Sequence, residues 1–242
     1  MSQFDEFDQP GTTPERNSGS IISHAFEMYK GIFVYVLVAV IINIVLDTLL
    51  QLISGFGFWM NNTMDWSTFR NSDSRVWQQE GSGIYYSSST LVSILLTPLH
   101  LGLLYIANKY NNKETIEIAD LFIGFRQNVG QTLLYGLISS IILGISVLMC
   151  GLPVFFVFPL LILGMPFLLF ENLSAVDALS KSFNITKENY GVFLGTGILG
   201  ILIAISGIIL CCIGIVFTMP FIYVMMYSAY CAYCGKPRQI YK

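Results

Sequence analysis

The sequence predicts an all-α membrane protein: six transmembrane helices arranged as three helical hairpins in parallel pseudo-repeats, each preceded by a cytoplasmic interfacial amphipathic helix. Three observations carry that reading. Only 11% of the 242 residues are charged while 54% are hydrophobic, under half the roughly 25% charge of soluble domains. Two runs, 131–170 and 191–235, hold no charged residue over 40 and 45 positions. Pro98, Pro159 and Pro220 stand 61 residues apart. The mean hydropathy of +0.66 and net charge of −3 exclude intrinsic disorder, a nucleic-acid binder and an ordinary cytosolic enzyme.

Residues 1–20, with Asp5, Glu6, Asp8 and Glu15 against Arg16, read as a disordered acidic cytoplasmic tail. They lack the basic start of a cleavable signal peptide. A single membrane domain follows over 21–235, in units of about 21–110, 115–172 and 176–233, and 236–242 form a cytoplasmic tail. The first unit opens with Ile22, Ala25, Phe26 and Tyr29 on one helical face, opposite His24, Glu27 and Lys30. Gly31–Ile53 is a span with Asp47 as its only charge, and Thr90–Asn108 is the second span. Each meets the roughly 20 apolar residues a bilayer core requires. Between them lies an outer loop, 54–89, carrying Trp59, Trp66, Trp77, Tyr85 and Tyr86. It reads either as an aromatic anchor at the outer headgroups or as a surface for other membrane or envelope proteins.

The second unit opens with Ile118, Leu121, Phe122 and Phe125, opposite Glu117, Asp120 and Arg126. The 131–170 run would be about 60 Å long as one helix, twice the bilayer, so it must reverse. Cys150-Gly151-Leu152-Pro153 supplies the turn. In the third unit Val176, Leu179 and Phe183 form the stripe, opposite Asp177, Lys181 and Asn184. The 191–235 run must reverse as well, at Cys212-Ile213-Gly214. Gly197, Gly200, Ala204, Gly207 and Cys211 give the fifth helix one small-residue face, suited to close packing in lipid, which makes it the central helix or a subunit contact.

A shift of 61 residues also lays Arg126 on Lys187, Asn128 on Asn189, Gly130 on Gly191, Phe122 on Phe183 and Cys150 on Cys211. That common register is the mark of an internal repeat. Six spans put Arg16, Lys30, Lys109, Lys113, Arg126, Lys181, Lys187, Lys236, Arg238 and Lys242 on one side, against Arg70 and Arg75 on the other. The excess places both termini in the cytoplasm, with the protein in the cytoplasmic (inner) membrane. The amphipathic helices then either lie in the cytoplasmic interface, with Lys30, Arg126 and Lys187 near lipid phosphate, or pack on the bundle as loop helices.

The residues of the third unit carry a resemblance. Asn172-Leu-Ser-Ala-Val-Asp-Ala-Leu-Ser-Lys-Ser-Phe183, Lys187-Glu-Asn-Tyr190, Gly214-Ile-Val-Phe-Thr-Met-Pro220 and Ala229-Tyr230 resemble a broad family of bacterial six-span membrane proteins. That family is related to the membrane part of glycerophosphoryl diester phosphodiesterases. The resemblance runs best over about 115–233, extends to residue 20, and leaves 54–89 outside. It implies the six-span fold and no agreed activity, and some relatives carry a carotene-oxygenase label.

Chemistry is sparse. Phosphodiester cleavage needs histidine acid–base groups and metal-binding carboxylates, and carotene cleavage needs a set of histidine ligands. The chain has His24 and His100 alone, with no motif for nucleophile, phosphate or zinc chemistry. No cofactor or metal is expected. Intramembrane polar groups are the remaining candidates: Asn43 and Asp47, on one face of the first span, and His100. At helical rise Asp47 stands about 24 Å above the inner end, Asn43 about 18 Å and His100 about 12 Å. Asn43–His100 is therefore the easier pairing. The other reading leaves Asp47 solvated by the outer loop and His100 bonded to a carbonyl freed by Pro98. Cys231-Ala-Tyr-Cys234 is half of a zinc site at most. Cys150, Cys211 and Cys212 read as packing or as a disulfide, and Glu171 as a solvated boundary residue. The favoured function is a non-enzymatic organiser of membrane lipids or partner proteins; the alternative is a small transporter or lipid-handling permease around Asn43, Asp47 and His100.

Overall fold

The computed structural model describes residues 11–54, 82–149, 151–207 and 213–237. Among them every regular element is helical. In chain order these are α1 (Ser18–Gly31), α2 (Phe33–Ser54), α3 (Ser82–Leu95), α4 (Thr97–Asn111), a 3-10 turn (Ile118–Phe122) running into α5 (Ile123–Arg126), α6 (Val129–Leu148), α7 (Leu152–Leu161), α8 (Gly164–Phe170), α9 (Ala175–Glu188), α10 (Tyr190–Ser206), α11 (Ile213–Thr218) and α12 (Phe221–Cys234). Two compact units are formed, one from residues within 1–40 and 97–242, the other from 41–96.

Four helical stretches are long and apolar enough to cross a membrane: Phe33–Ser54, Gly83–Asn111, Val129–Leu148 and Leu152–Phe170. A fifth arises if α9 and α10, which meet at 106°, count as one. The expected sixth span is not one helix of membrane length. It consists of the short α11 and α12, separated at Met219-Pro220, because proline supplies no backbone donor to continue the ladder. The reversal expected at Cys212 lies outside the described residues, as do Cys150, Cys211, Trp59, Trp66, Trp77, Arg70 and Arg75. Between α6 and α7 the turn falls where expected. Gly151 has φ of +73° and Pro153 sits in the first turn of α7, the positions each residue tolerates best.

In the second unit, helix α3 begins eight residues before the expected start of the second span, so 82–89 belong to helix rather than to the outer loop. Hydroxyl groups in this Ser-rich stretch bond back to the helix itself. Ser87 Oγ donates to Gly83 O (2.7 Å), Ser89 Oγ to Tyr86 O (3.0 Å) and Ser93 Oγ to Thr90 O (2.8 Å). Each polar side chain is satisfied by its own preceding turn.

In the first unit α4, α8 and α12 are the enclosed elements: in α12 Phe221 and every residue from Val224 to Ala232 are buried. The small-residue face of α10 does point inward, with Gly197 against Pro159 and Gly200 against Met225. Its other face exposes Leu199, Leu202 and Ile205, the side expected to be free of helix packing. Three entering segments surround these helices, and their contacts close a cycle. The 118–126 segment packs on α4, α9 packs on α7 and α8, and α1 packs on α12. Each time the segment lies where a second arm is broken. Gly102 and Gly124 leave room for the backbone of Leu121 and Pro98 respectively. Ser182 of α9 donates to Leu160 O (2.7 Å) and Tyr135 of α6 to Leu161 O (3.1 Å), two carbonyls at the α7–α8 break. Tyr29 of α1 donates to Phe217 O, one turn before Pro220. Carbonyls that lose their helical donor at these breaks are thus satisfied from an adjoining element.

Residues 11–17, the expected end of a disordered tail, also belong to the first unit. Thr12 N donates to Asn111 Oδ1 (2.8 Å), Arg16 Nε to Ala232 O (3.2 Å) and Lys236 Nζ to Gly11 O (2.5 Å). Asn17 then caps α1, its side chain accepting from Ser20 N. Charge in a tail does not prevent docking when backbone groups make the contacts.

Candidate functional site

The polar trio expected inside the membrane is divided. Asn43 and Asp47 fall in the second unit and His100 in the first. Asp47 is fully engaged within its own unit: Oδ1 accepts from Tyr85 OH and Oδ2 from Gln51 Nε2, both at 2.7 Å. His100 stacks on Tyr223 with ring centroids 4.2 Å apart and planes 9° from parallel. No hydrogen bond reaches it among the described residues, so it does not serve the carbonyls near Pro98.

A buried polar network, unrecognised from sequence, ties one end of the first unit together. Asn111 Nδ2 donates to Thr12 O (3.0 Å) and to Tyr227 OH (3.0 Å), and Tyr227 OH donates to Asn108 Oδ1 (3.1 Å). His24, placed by helical phase on the polar face of α1, is instead 6% exposed. Its Nε2 meets Thr12 O at 3.1 Å and its Nδ1 meets Ser228 Oγ at 2.9 Å. A carbonyl only accepts, so Nε2 carries the proton and Nδ1 accepts from the serine hydroxyl. Burial lowers the His24 pKa from the usual 6.5, opposed by the Thr12 carbonyl and the charge of Glu27. The visible clue was the cluster Asn108, Asn111 and Asn112 at the end of an apolar helix; the partners 116 and 119 residues away left no local signal.

Around this end the charges sort themselves. Lys109 pairs with Asp120 at 2.8 Å, and Asp120 also closes a capping box with Glu117. Lys181 pairs with Glu171, which also accepts from Tyr230 OH at 3.4 Å. Glu171 is therefore an ion-pair partner at a partly exposed helix end. Cys231 and Cys234 are free thiols, the first buried and the second half-buried. No cluster of potential metal ligands occurs among the described residues.

The three entering segments share one surface arrangement. Lys30, Arg126 and Lys187 each stand in a last helical turn, where a cation meets the negative helix end. All three are exposed and make no ion pair among the described residues. Helix α9 turns its small residues Ala175, Ala178, Ser182 and Thr186 inward and leaves Val176 at 61% and Phe183 at 45% exposure. In the second segment Leu121 and Gly124 turn inward, while Ile118, Phe122 and Phe125 are exposed. In α1 Ile21, Ala25 and Met28 are buried and Phe26 is exposed. Of the apolar stripes read from sequence, only Ala25 and Leu121 are buried; α9 packs through small residues off its stripe, and Phe26, partly exposed, also meets the Phe221 ring at 4.6 Å. Comparison with family models, with curated proteins and with solved structures finds no match to this chain.

Proposed function

We propose that this chain is an inner-membrane protein of three parallel hairpins, with cytoplasmic termini, that organises membrane lipids through its three entering segments and performs no catalysis. The observation that carries the reading is the geometry of α9. It leaves α10 at 106°, buries only its small side chains, and holds Val176 and Phe183 outward. A helix at a right angle to a membrane-crossing helix lies along the bilayer surface, and outward apolar residues there sit at the acyl boundary. The cyclic contacts of the entering segments favour the repeat, since each copy meets the broken arm of the copy before it. Helices α6 and α10 begin at Val129 and Tyr190, 61 residues apart, as the prolines do. The breaks at α7–α8 and α11–α12, where hydroxyls of Ser182, Tyr135 and Tyr29 donate to backbone carbonyls, suit spans whose backbone is satisfied by protein. The six-span family that the third unit resembles fits this reading and adds no activity to it.

A Phe183→Trp variant tests it. In vesicles of phosphatidylcholine brominated near the headgroup end of its chains, the added indole emission should be quenched relative to unbrominated vesicles. Emission indifferent to bromine and quenched by aqueous iodide would place α9 in water and refute the reading.

A further inference from the structure

We infer that the three entering segments form three equivalent contact sites for anionic phospholipids, each an exposed phenylalanine followed four residues later by an unpaired cation. The inference rests on the interfacial placement proposed above and names the lipid class. Phe26 precedes Lys30, Phe122 precedes Arg126 and Phe183 precedes Lys187, each by one helical turn. The phenylalanines are 39%, 38% and 45% exposed, nearly the same on three segments of different sequence. In the third, Lys187 Nζ lies 5.8 Å from the Phe183 ring centroid, which places cation and ring beside one another.

Charge complementarity selects the occupant. Lys109 and Lys181 are neutralised by Asp120 and Glu171, and Arg16 and Lys236 are turned onto backbone carbonyls. Lys30, Arg126 and Lys187 have no such anion among the described residues, although Glu27 and Glu188 stand near two of them in sequence. A cation at the headgroup level beside an outward aromatic ring matches a phosphodiester over acyl chains: the charge meets the phosphate and the ring meets the first methylenes. A zwitterionic lipid offers the same phosphate with a compensating ammonium, so the net charge of the lipid should decide the preference. Lys113 is exposed and unpaired as well, but it sits in a loop with φ of +57° and has no phenylalanine one turn before it. That makes it an internal control.

The full chain, reconstituted in 3:1 phosphatidylcholine:phosphatidylglycerol vesicles, is probed with spin-labelled phosphatidylglycerol and spin-labelled phosphatidylcholine. The fraction of each label held immobile at the protein gives the selectivity. One basic residue near an anionic surface is worth about fivefold in association. The wild-type chain should therefore hold the anionic label about fivefold more strongly at these sites. Lys30→Gln, Arg126→Gln and Lys187→Gln together should bring selectivity near unity, each single change should remove part of it, and Lys187→Arg should keep it. Lys113→Gln should leave it unchanged. Full selectivity in the triple variant, or an equal loss in Lys113→Gln, overturns the inference and attributes any preference to bulk charge. Quenching of the Phe183→Trp indole by brominated lipid, with selectivity unmoved by the triple variant, refutes the anionic sites alone. Iodide quenching without bromine quenching removes the interfacial reading and the inference together.

Discussion

At the scale of single residues, His24 is held by two bonds in a buried site that disfavours its charged form. In the neutral ring Ser228 donates to Nδ1 and Nε2 donates to Thr12 O; a second proton on Nδ1 would turn the serine hydroxyl into an acceptor and leave a charge away from water. The folded pKa lies below the unfolded 6.5, and the unfolded chain binds more protons as pH falls. The His24 contribution to stability is therefore complete above about pH 6.5 and declines as pH drops below it, until the folded group also titrates. In detergent, the melting temperature of the wild-type chain should fall from pH 7.5 to pH 5 by more than that of His24→Gln. Equal slopes would remove this role. The loss should begin at residues 11–17, whose Thr12 carbonyl depends on His24 and Asn111; amide exchange at those residues reports it directly.

The helices show where backbone proximity rather than side-chain volume sets the packing. A Cβ added to Gly102 or Gly124 would run into the backbone of Leu121 or Pro98, with nothing able to rotate away. Gly130, in the first turn of α6, faces open space. Gly102→Ala should destabilise the fold by about 1–3 kcal/mol, the usual cost of overpacking. Gly130→Ala should be neutral or slightly stabilising, because alanine favours a helix by up to about 1 kcal/mol over glycine. Chemical denaturation in mixed micelles separates the two, and equal effects would contradict the close approach of the 118–126 segment to α4. At this scale the proline register was legible but its consequence was only partly so. The arms containing Pro98 and Pro220 break beside those residues. The middle arm keeps Pro159 inside α7 and breaks at Ile162–Leu163 instead, because Pro166 has no N–H to give the Ile162 carbonyl.

For the molecule as a whole, uncharged length made an all-helical chain with helices long and apolar enough to cross a membrane readable from sequence. The amphipathic starts were readable too, since apolar residues at i, i+3 and i+4 mark a helix wherever it lies. What stayed hidden depends on partners far along the chain. His24 lies on the polar side of α1 by periodicity and is buried by residues 11–17 and α12. Asp47 finds Tyr85 38 residues away. The stripe of α9, Val176, Leu179 and Phe183, is apolar to a sequence reader, yet the residues that pack are Ala175, Ala178, Ser182 and Thr186 beside it.

The proposed arrangement requires every entering segment to lie on one side of the bilayer. Cysteines substituted for Lys113 and Asn184, both exposed, are labelled with a membrane-impermeant maleimide in inside-out and right-side-out vesicles, against the unsubstituted chain as background. Labelling of both sites in inside-out vesicles alone is the predicted result. Labelling of one site from each side would contradict the three parallel hairpins and everything assigned to their cytoplasmic surface.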